Sequence, residues 1–189
     1  MKLNNKKSGF TLAEVLVTLM IIGVIAAMTI PSLMQSTAQQ EYKAAFKKAV
    51  SMLNQAVTLN YALDGRDASD YTGTGLFDLL TQRLNVMSST DGSDLYTADG
   101  MWFSLAEPKA SGSKPGLGVT EAKACSATVD DVNNPDNVCS VVYIDVNGQK
   151  GPNSWTEGGS KIKDIFSVAV YPQKALPNGT AFSEALYSK

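Results

Sequence analysis

Histidine is absent from all 189 residues. That absence excludes Ser-His-Asp and Cys-His catalysis, histidine-ligated zinc and imidazole acid–base chemistry. Cysteine occurs only twice, at Cys125 and Cys139, too few to complete a thiolate zinc site without histidine. There is no surplus of cations either. The 16 Lys and Arg stand against 18 Asp and Glu, so the basic excess that neutralises phosphates is missing and nucleic acid is not an expected partner. No glycine-rich phosphate loop, metal-ligand spacing or nucleophile motif is present, and an enzyme is therefore not expected.

What is present is one apolar run placed at one end. The chain is 44% hydrophobic overall, enough for one globular domain with its own core. Residues 1–9 are polar and carry Lys2, Lys6 and Lys7, whereas residues 10–34 are almost continuously apolar with a single charge, Glu14. About 20 apolar residues at 1.5 Å each cross a bilayer, so this run is long enough to span one, with the basic leader on the cytoplasmic side. A secretory signal has a shorter apolar region followed by a small-residue cleavage site, and none precedes Pro31. A plain uncleaved signal anchor also satisfies composition alone.

Glu14 needs a reason, because a carboxylate in an apolar span costs roughly 2.5–3.5 kcal/mol at a helix centre and less near the interface. A cut between Gly9 and Phe10 supplies one, by placing a new α-amino cation where neighbouring subunits can pair it with Glu14 and so fix register. The stretch from Lys6 and Lys7 through Ser8, Gly9, Phe10, Thr11, Leu12, Ala13, Glu14, Val15, Leu16 and Val17 resembles the class III signal of type IV prepilins and type II secretion pseudopilins. In that family a membrane-embedded prepilin peptidase cuts after the glycine and methylates the new N-terminal phenylalanine. The resemblance therefore implies Gly9 as the cleavage residue, Phe10 as the methylated N-terminus and Glu14 as the glutamate needed for assembly. It also matches Pro31 to a family proline that breaks the membrane helix.

The remainder reads as the head that such an anchor carries. Residues 35–63 contain no Gly or Pro, and Tyr42, Phe46, Ala49, Leu53, Ala56 and Val57 recur at helical spacing, while Lys43, Lys47 and Lys48 fall on a solvated face. Asp64-Gly65 is a helix stop. Leu76, Leu79, Leu80 and Leu84 predict a short helix. Residues 101–105, 140–146 and 165–171 predict three strands, and residues 107–137 a long surface loop. The expected class is α+β, a type IV pilin-like fold. Its long N-terminal helix, hydrophobic half protruding, packs on a small antiparallel sheet of about three strands. The expected organisation is a leader at 1–9, a transmembrane and filament-core helix at 10–34, an amphipathic head helix at 35–63 and a globular head at 64–189.

Cys125 and Cys139 would face the oxidising side of the membrane, where a disulfide is the economical reading and two unpaired thiols the alternative. Such a bond closes a loop of about 15 residues, worth roughly 3 kcal/mol in the chain-entropy model. Asn147-Gly148 marks a tight turn after a strand. Asp145, Asn147 and Asn153, with Asp164 beyond the loop, also offer oxygens of the type calcium takes, although only part of a calcium-loop pattern is present. The segment resembles the C-terminal region of the major secretion pseudopilin, whose subfamily binds calcium beside its sheet. Turn alone and calcium are both open at this point. Trp102 and Trp155 read as isolated packing residues, and Lys109, Lys114 and Lys123 as solvated loop cations.

The function expected from these observations is structural: a subunit of a type IV pilus-like or type II secretion pseudopilus filament, polymerised through its N-terminal helix. Implied partners are prepilin peptidase, other copies of the chain, minor pilins or pseudopilins, an inner-membrane assembly platform, and lipid before assembly. The expected location is the inner membrane, single-pass, with the head extracytoplasmic, and a periplasmic or extracellular filament afterwards. The competing reading is an uncleaved membrane-anchored extracytoplasmic binding domain.

Overall fold

The computed structural model describes residues 9–71, 75–90, 92–118, 121–122, 125–126, 136–148, 150–159 and 161–187. Helix α1 runs from Leu12 to Asp64. The chain divides into two compact units at residues 38 and 39, so the first part of α1 belongs to one unit and its second part to the other.

Helix α1 starts at a capping box. Thr11 Oγ1 accepts from the Glu14 amide at 3.3 Å, and Glu14 Oε2 accepts from the Thr11 amide at 2.7 Å and the Thr11 hydroxyl at 2.8 Å. This satisfies donors that a helix start otherwise leaves open. Pro31, expected to break the helix, lies inside it. A proline in an apolar helix is tolerated where nearby hydroxyls bond backbone carbonyls. Here Thr29 Oγ1 donates to the Ile25 carbonyl at 3.0 Å and Ser32 Oγ to the Thr29 carbonyl at 2.9 Å. The expected stop holds: Gly65 takes φ +65° and its amide bonds the Tyr61 carbonyl, a left-handed cap open to a residue without Cβ.

In the second unit α1 buries Phe46, Ala49, Val50, Leu53, Ala56, Val57 and Asn60, a stripe at three- and four-residue spacing. Opposite it stands a fully antiparallel sheet. Its order is β1 (Val86–Thr90), β2 (Asp94–Thr97), β3 (Trp102–Ser104), β4 (Ser140–Asp145), β5 (Ile165–Val170) and β6 (Ala175–Pro177). Six strands among the described residues replace the three expected. The central three are those the sequence marks. β1 was missed because Met87, Ser88, Ser89 and Thr90 are all exposed, leaving no buried alternation to read. β6 was missed because it is three residues long and ends in Pro177. Two further helices complete the unit, α2 (Gly75–Arg83), close to the short helix expected, and α3 (Thr180–Tyr187), which was not expected.

Register fixes the two faces of the sheet. Phe103, Ile144 and Phe166 lie side by side across β3, β4 and β5. The Phe166 ring stacks on Phe46 of α1, with centroids 4.1 Å apart. One residue along, Trp102, Asp145 and Ile165 lie side by side and so belong to the opposite face. That face is covered too, since all six residues of β5 are buried. Trp155 packs edge-on to Tyr143 at 5.9 Å and neighbours Phe182 of α3.

Cys125 and Cys139 form a disulfide, the economical reading of the two. Asn137 joins the same place, accepting from the Ser126 amide at 2.8 Å and donating to the Ser126 carbonyl at 3.0 Å. Of the loop expected at 107–137, residues 119–120, 123–124 and 127–135 lie outside the described residues, Lys123 among them.

Candidate functional site

Two regions carry the candidate residues, the N-terminal segment and the loop after β4. Of the expected leader, residues 1–8 lie outside the described residues, while Gly9 and Phe10 precede α1 in non-helical conformation. Phe10 is 89% exposed. A Cβ added at Gly9 would meet nothing within 4 Å, and its φ is not in the left-handed region. The fold of the chain itself therefore makes no demand for glycine at position 9. The same holds for Gly23, inside α1, where a Cβ would meet nothing although glycine costs roughly 1 kcal/mol against alanine in a helix.

Beyond Phe10 the apolar residues have nothing to cover them. Leu16, Leu19, Met20, Ile21, Ile22, Met28, Leu33 and Met34 are all exposed. Contiguous apolar surface of this extent marks a membrane or protein contact. The helix has an 18-residue window of mean hydropathy 2.3, long and apolar enough to cross a membrane. Glu14 is the acidic residue of its first turn, and in the single chain its carboxylate is occupied by Thr11.

The second region is a loop tied to one carboxylate. Asp164 Oδ2 accepts from the Asn153 amide at 2.8 Å and from Asn147 Nδ2 at 3.3 Å, and its Oδ1 accepts from the Ser154 amide at 2.8 Å. Asn147 Nδ2 also donates to the Gly151 carbonyl at 2.9 Å, Asn153 Oδ1 accepts from the Gly151 amide at 2.9 Å, and Asp145 Oδ1 accepts from the Asn147 amide at 3.2 Å. Gly148 turns the chain at φ +59°, where a Cβ would stand 2.4 Å from the Gly100 carbonyl oxygen, so no other residue fits. The structure thus brings Asp145, Asn147, Asn153 and Asp164 together in one hydrogen-bonded loop.

Calcium takes six to eight oxygen ligands. In this loop the Asp164 and Asn153 side-chain oxygens and one oxygen of Asp145 already accept N–H donors. Among the described residues no group of three or more His, Cys, Asp and Glu side chains is placed to hold a metal ion. As they stand, the donors make a hydrogen-bonded loop and do not make up a calcium shell. Asn147 Oδ1 is the exception, buried with no partner among the described residues.

The electrostatics of the loop single out Asp145. Burial pushes its carboxyl up to about 6, and the negative charge of Asp164 adds to the effect. Tyr42, reaching this loop from α1, is likewise pushed up, first by burial and then by Asp164. Sequence reasoning missed Trp102 here. It is the strand partner of Asp145, and its indole Nε1–H is buried with no acceptor among the described residues. No signal in the sequence separates such a tryptophan from one that simply packs.

Comparison with known families matches residues 4–30 to the prokaryotic N-terminal methylation motif. The chain thus carries the prepilin-type signature of type IV pilins and pseudopilins. That signature supports a pilin-like nature, and it implies processing by prepilin peptidase and assembly into filaments with other pilins. With the apolar helix it fits a membrane-anchored pilin. No curated protein and no solved structure matches the chain.

Proposed function

We propose that the chain is a structural subunit of a type IV pilus-like or type II secretion pseudopilus filament, stored in the inner membrane with its head outside the cytoplasm, cut after Gly9, methylated at Phe10 and polymerised through its N-terminal helix. The observation that carries the proposal is the exposed apolar first part of α1, preceded by a glycine its own fold does not require. A residue with no intramolecular reason is there for a partner, and the methylation motif over the same residues supports a peptidase as that partner.

Assembly follows from the same surfaces. Gly23 and Ala27 stand one turn apart on α1, the small-residue spacing that lets helices approach closely in an apolar medium. Glu14 exchanges its Thr11 contacts for the Phe10 amine of a neighbour, and so sets register. The disulfide and the three leader lysines support an outward head and an inward leader. In the head, the loop at Asp145–Asp164 closes by hydrogen bonds without calcium. The test is Glu14→Ala, expected to leave cleavage intact and to abolish or sharply reduce sheared filaments. Normal filament yield from that variant removes the register role.

A further inference from the structure

Asparagine followed by glycine is a chemically weak pair, because glycine has no side chain to shield its amide nitrogen from the carboxamide that precedes it. The chain has two such pairs, Asn147-Gly148 and Asn178-Gly179. Filament packing through α1 uses neither, and the structure treats them differently.

Asn178 is 2% exposed, and its Nδ2 donates to the buried Ser167 hydroxyl at 3.0 Å. A Cβ at Gly179 would stand 2.6 Å from the Gly116 carbonyl oxygen, so main chain closes over that pair. Asn147 is half-buried, in the turn that follows β4. Its Nδ2 is held by the Gly151 carbonyl at 2.9 Å and by Asp164 Oδ2 at 3.3 Å, the second long for an N–H···O bond. Both anchors belong to the loop between β4 and β5, so local opening of that loop frees the carboxamide and leaves the core in place. Glycine is also fixed at the next position, because Gly148 takes φ +59° and a Cβ there would stand 2.4 Å from the Gly100 carbonyl oxygen. The fold thus keeps the weak pair at 147–148 and leaves it within reach of water.

We propose that Asn147 is a site of spontaneous deamidation, which unties this loop as the protein ages. The Gly148 amide nitrogen attacks Cγ of Asn147, the Cγ–Nδ2 bond breaks, and the Gly148 amide proton leaves with Nδ2 as ammonia. Water then opens the five-membered succinimide at either carbonyl and leaves aspartate or isoaspartate at 147. One water is consumed and one ammonia released, with no oxidant or reductant.

The product reverses the contact that closed the loop. Where Nδ2 donated to Asp164, a carboxylate oxygen faces it instead, with the Asp145 carboxylate already bonded to the amide of residue 147. Asp145 and Asp164 are 2% and 0% exposed, so a third negative charge among them disfavours closure. Isoaspartate also lengthens the main chain by one carbon beside the close approach of Gly148 to Gly100.

The experiment holds the full chain in detergent micelles at pH 8, with a parallel sample in urea, and follows by mass spectrometry the peptides that contain Asn147 and Asn178. In urea the two pairs are expected to convert at comparable rates. In the folded chain Asn147 is expected to convert about tenfold more slowly than in urea, the effect of one good hydrogen bond, and Asn178 at least about tenfold more slowly again. Global unfolding exposes both pairs alike, so equal rates in the folded chain overturn the proposal. An Asn147 carboxamide that outlasts about a hundred urea half-lives overturns it as well. Asn147→Asp supplies the product directly and is expected to lower Tm at pH 7.5 by about 4–8 °C. A Tm equal to or above that of the wild type overturns the untying of the loop. The rate comparison needs no variant, and none of these outcomes depends on cleavage at Gly9 or on filament assembly.

Discussion

Replacing Asp145 by Asn tests the electrostatic reading of the head most sharply, because among the described residues the wild-type carboxylate has no ion-pair partner and faces the charge of Asp164. Its carboxyl titrates at about 6 in the folded chain against an ordinary 3.8. A carboxyl whose folded pKa lies above its unfolded value binds its proton more tightly in the native state, so stability is full below about pH 4 and declines as pH rises through 6. The difference of about two units corresponds to roughly 3 kcal/mol of destabilisation above pH 7. Asparagine is neutral at every pH and offers one acceptor oxygen where the carboxylate takes hydrogen bonds from the Asn147 and Gly148 amides, a loss worth about 1 kcal/mol. The net expectation is a gain of about 2 kcal/mol at pH 7.5, or about 4–8 °C in Tm for a chain of this size, shrinking to nothing near pH 4. Thermal unfolding of wild type and variant in detergent, at half-unit intervals from pH 4 to 8, measures it. A variant less stable than wild type at pH 7.5, or a gain that does not change with pH, refutes the reasoning.

Three other outcomes follow from the packing. Addition of calcium or of EDTA is expected to leave Tm unchanged, since both Asp164 oxygens and the Asn153 side-chain oxygen already accept N–H donors; a rise of several degrees with calcium overturns the hydrogen-bonded closure. Reduction of Cys125–Cys139, whose partners are 14 residues apart, is expected to cost roughly 3 kcal/mol in denaturant unfolding, and no change in midpoint contradicts a stabilising role. Phe166→Ala removes a fully buried ring stacked on Phe46 and is expected to cost about 3–5 kcal/mol, read in the same assay, with a loss under 1 kcal/mol counting against its central place in the core.

The parts of the fold that could be read from sequence are those where burial leaves a period. Phe46 to Val57 repeats at helical spacing because α1 has one covered face in the head, and β3, β4 and β5 show as apolar runs because they lie in the middle of the sheet. β1 has no such trace, since Met87 is 76% exposed and its neighbours are small and polar. Helix α3 is only eight residues long, about two turns, too short for a helical period to stand out. The loop residues Asp145, Asn147, Asn153 and Asp164 lie together, but spacing does not say which lone pairs are taken. Their hydrogen bonds come from backbone amides at Asn153 and Ser154, donors that every sequence has. For Gly9 the opposite applies. The methylation motif spans it, and the structure adds that nothing inside the chain requires a glycine there.

Mass spectrometry of the N-terminal peptide, from membrane and sheared-surface fractions of producing cells, tests the central claim most directly. A peptide beginning at N-methylated Phe10 in both fractions is the expected result. A peptide that still carries residues 1–9 in both would contradict processing, and would leave an uncleaved anchor holding a binding head.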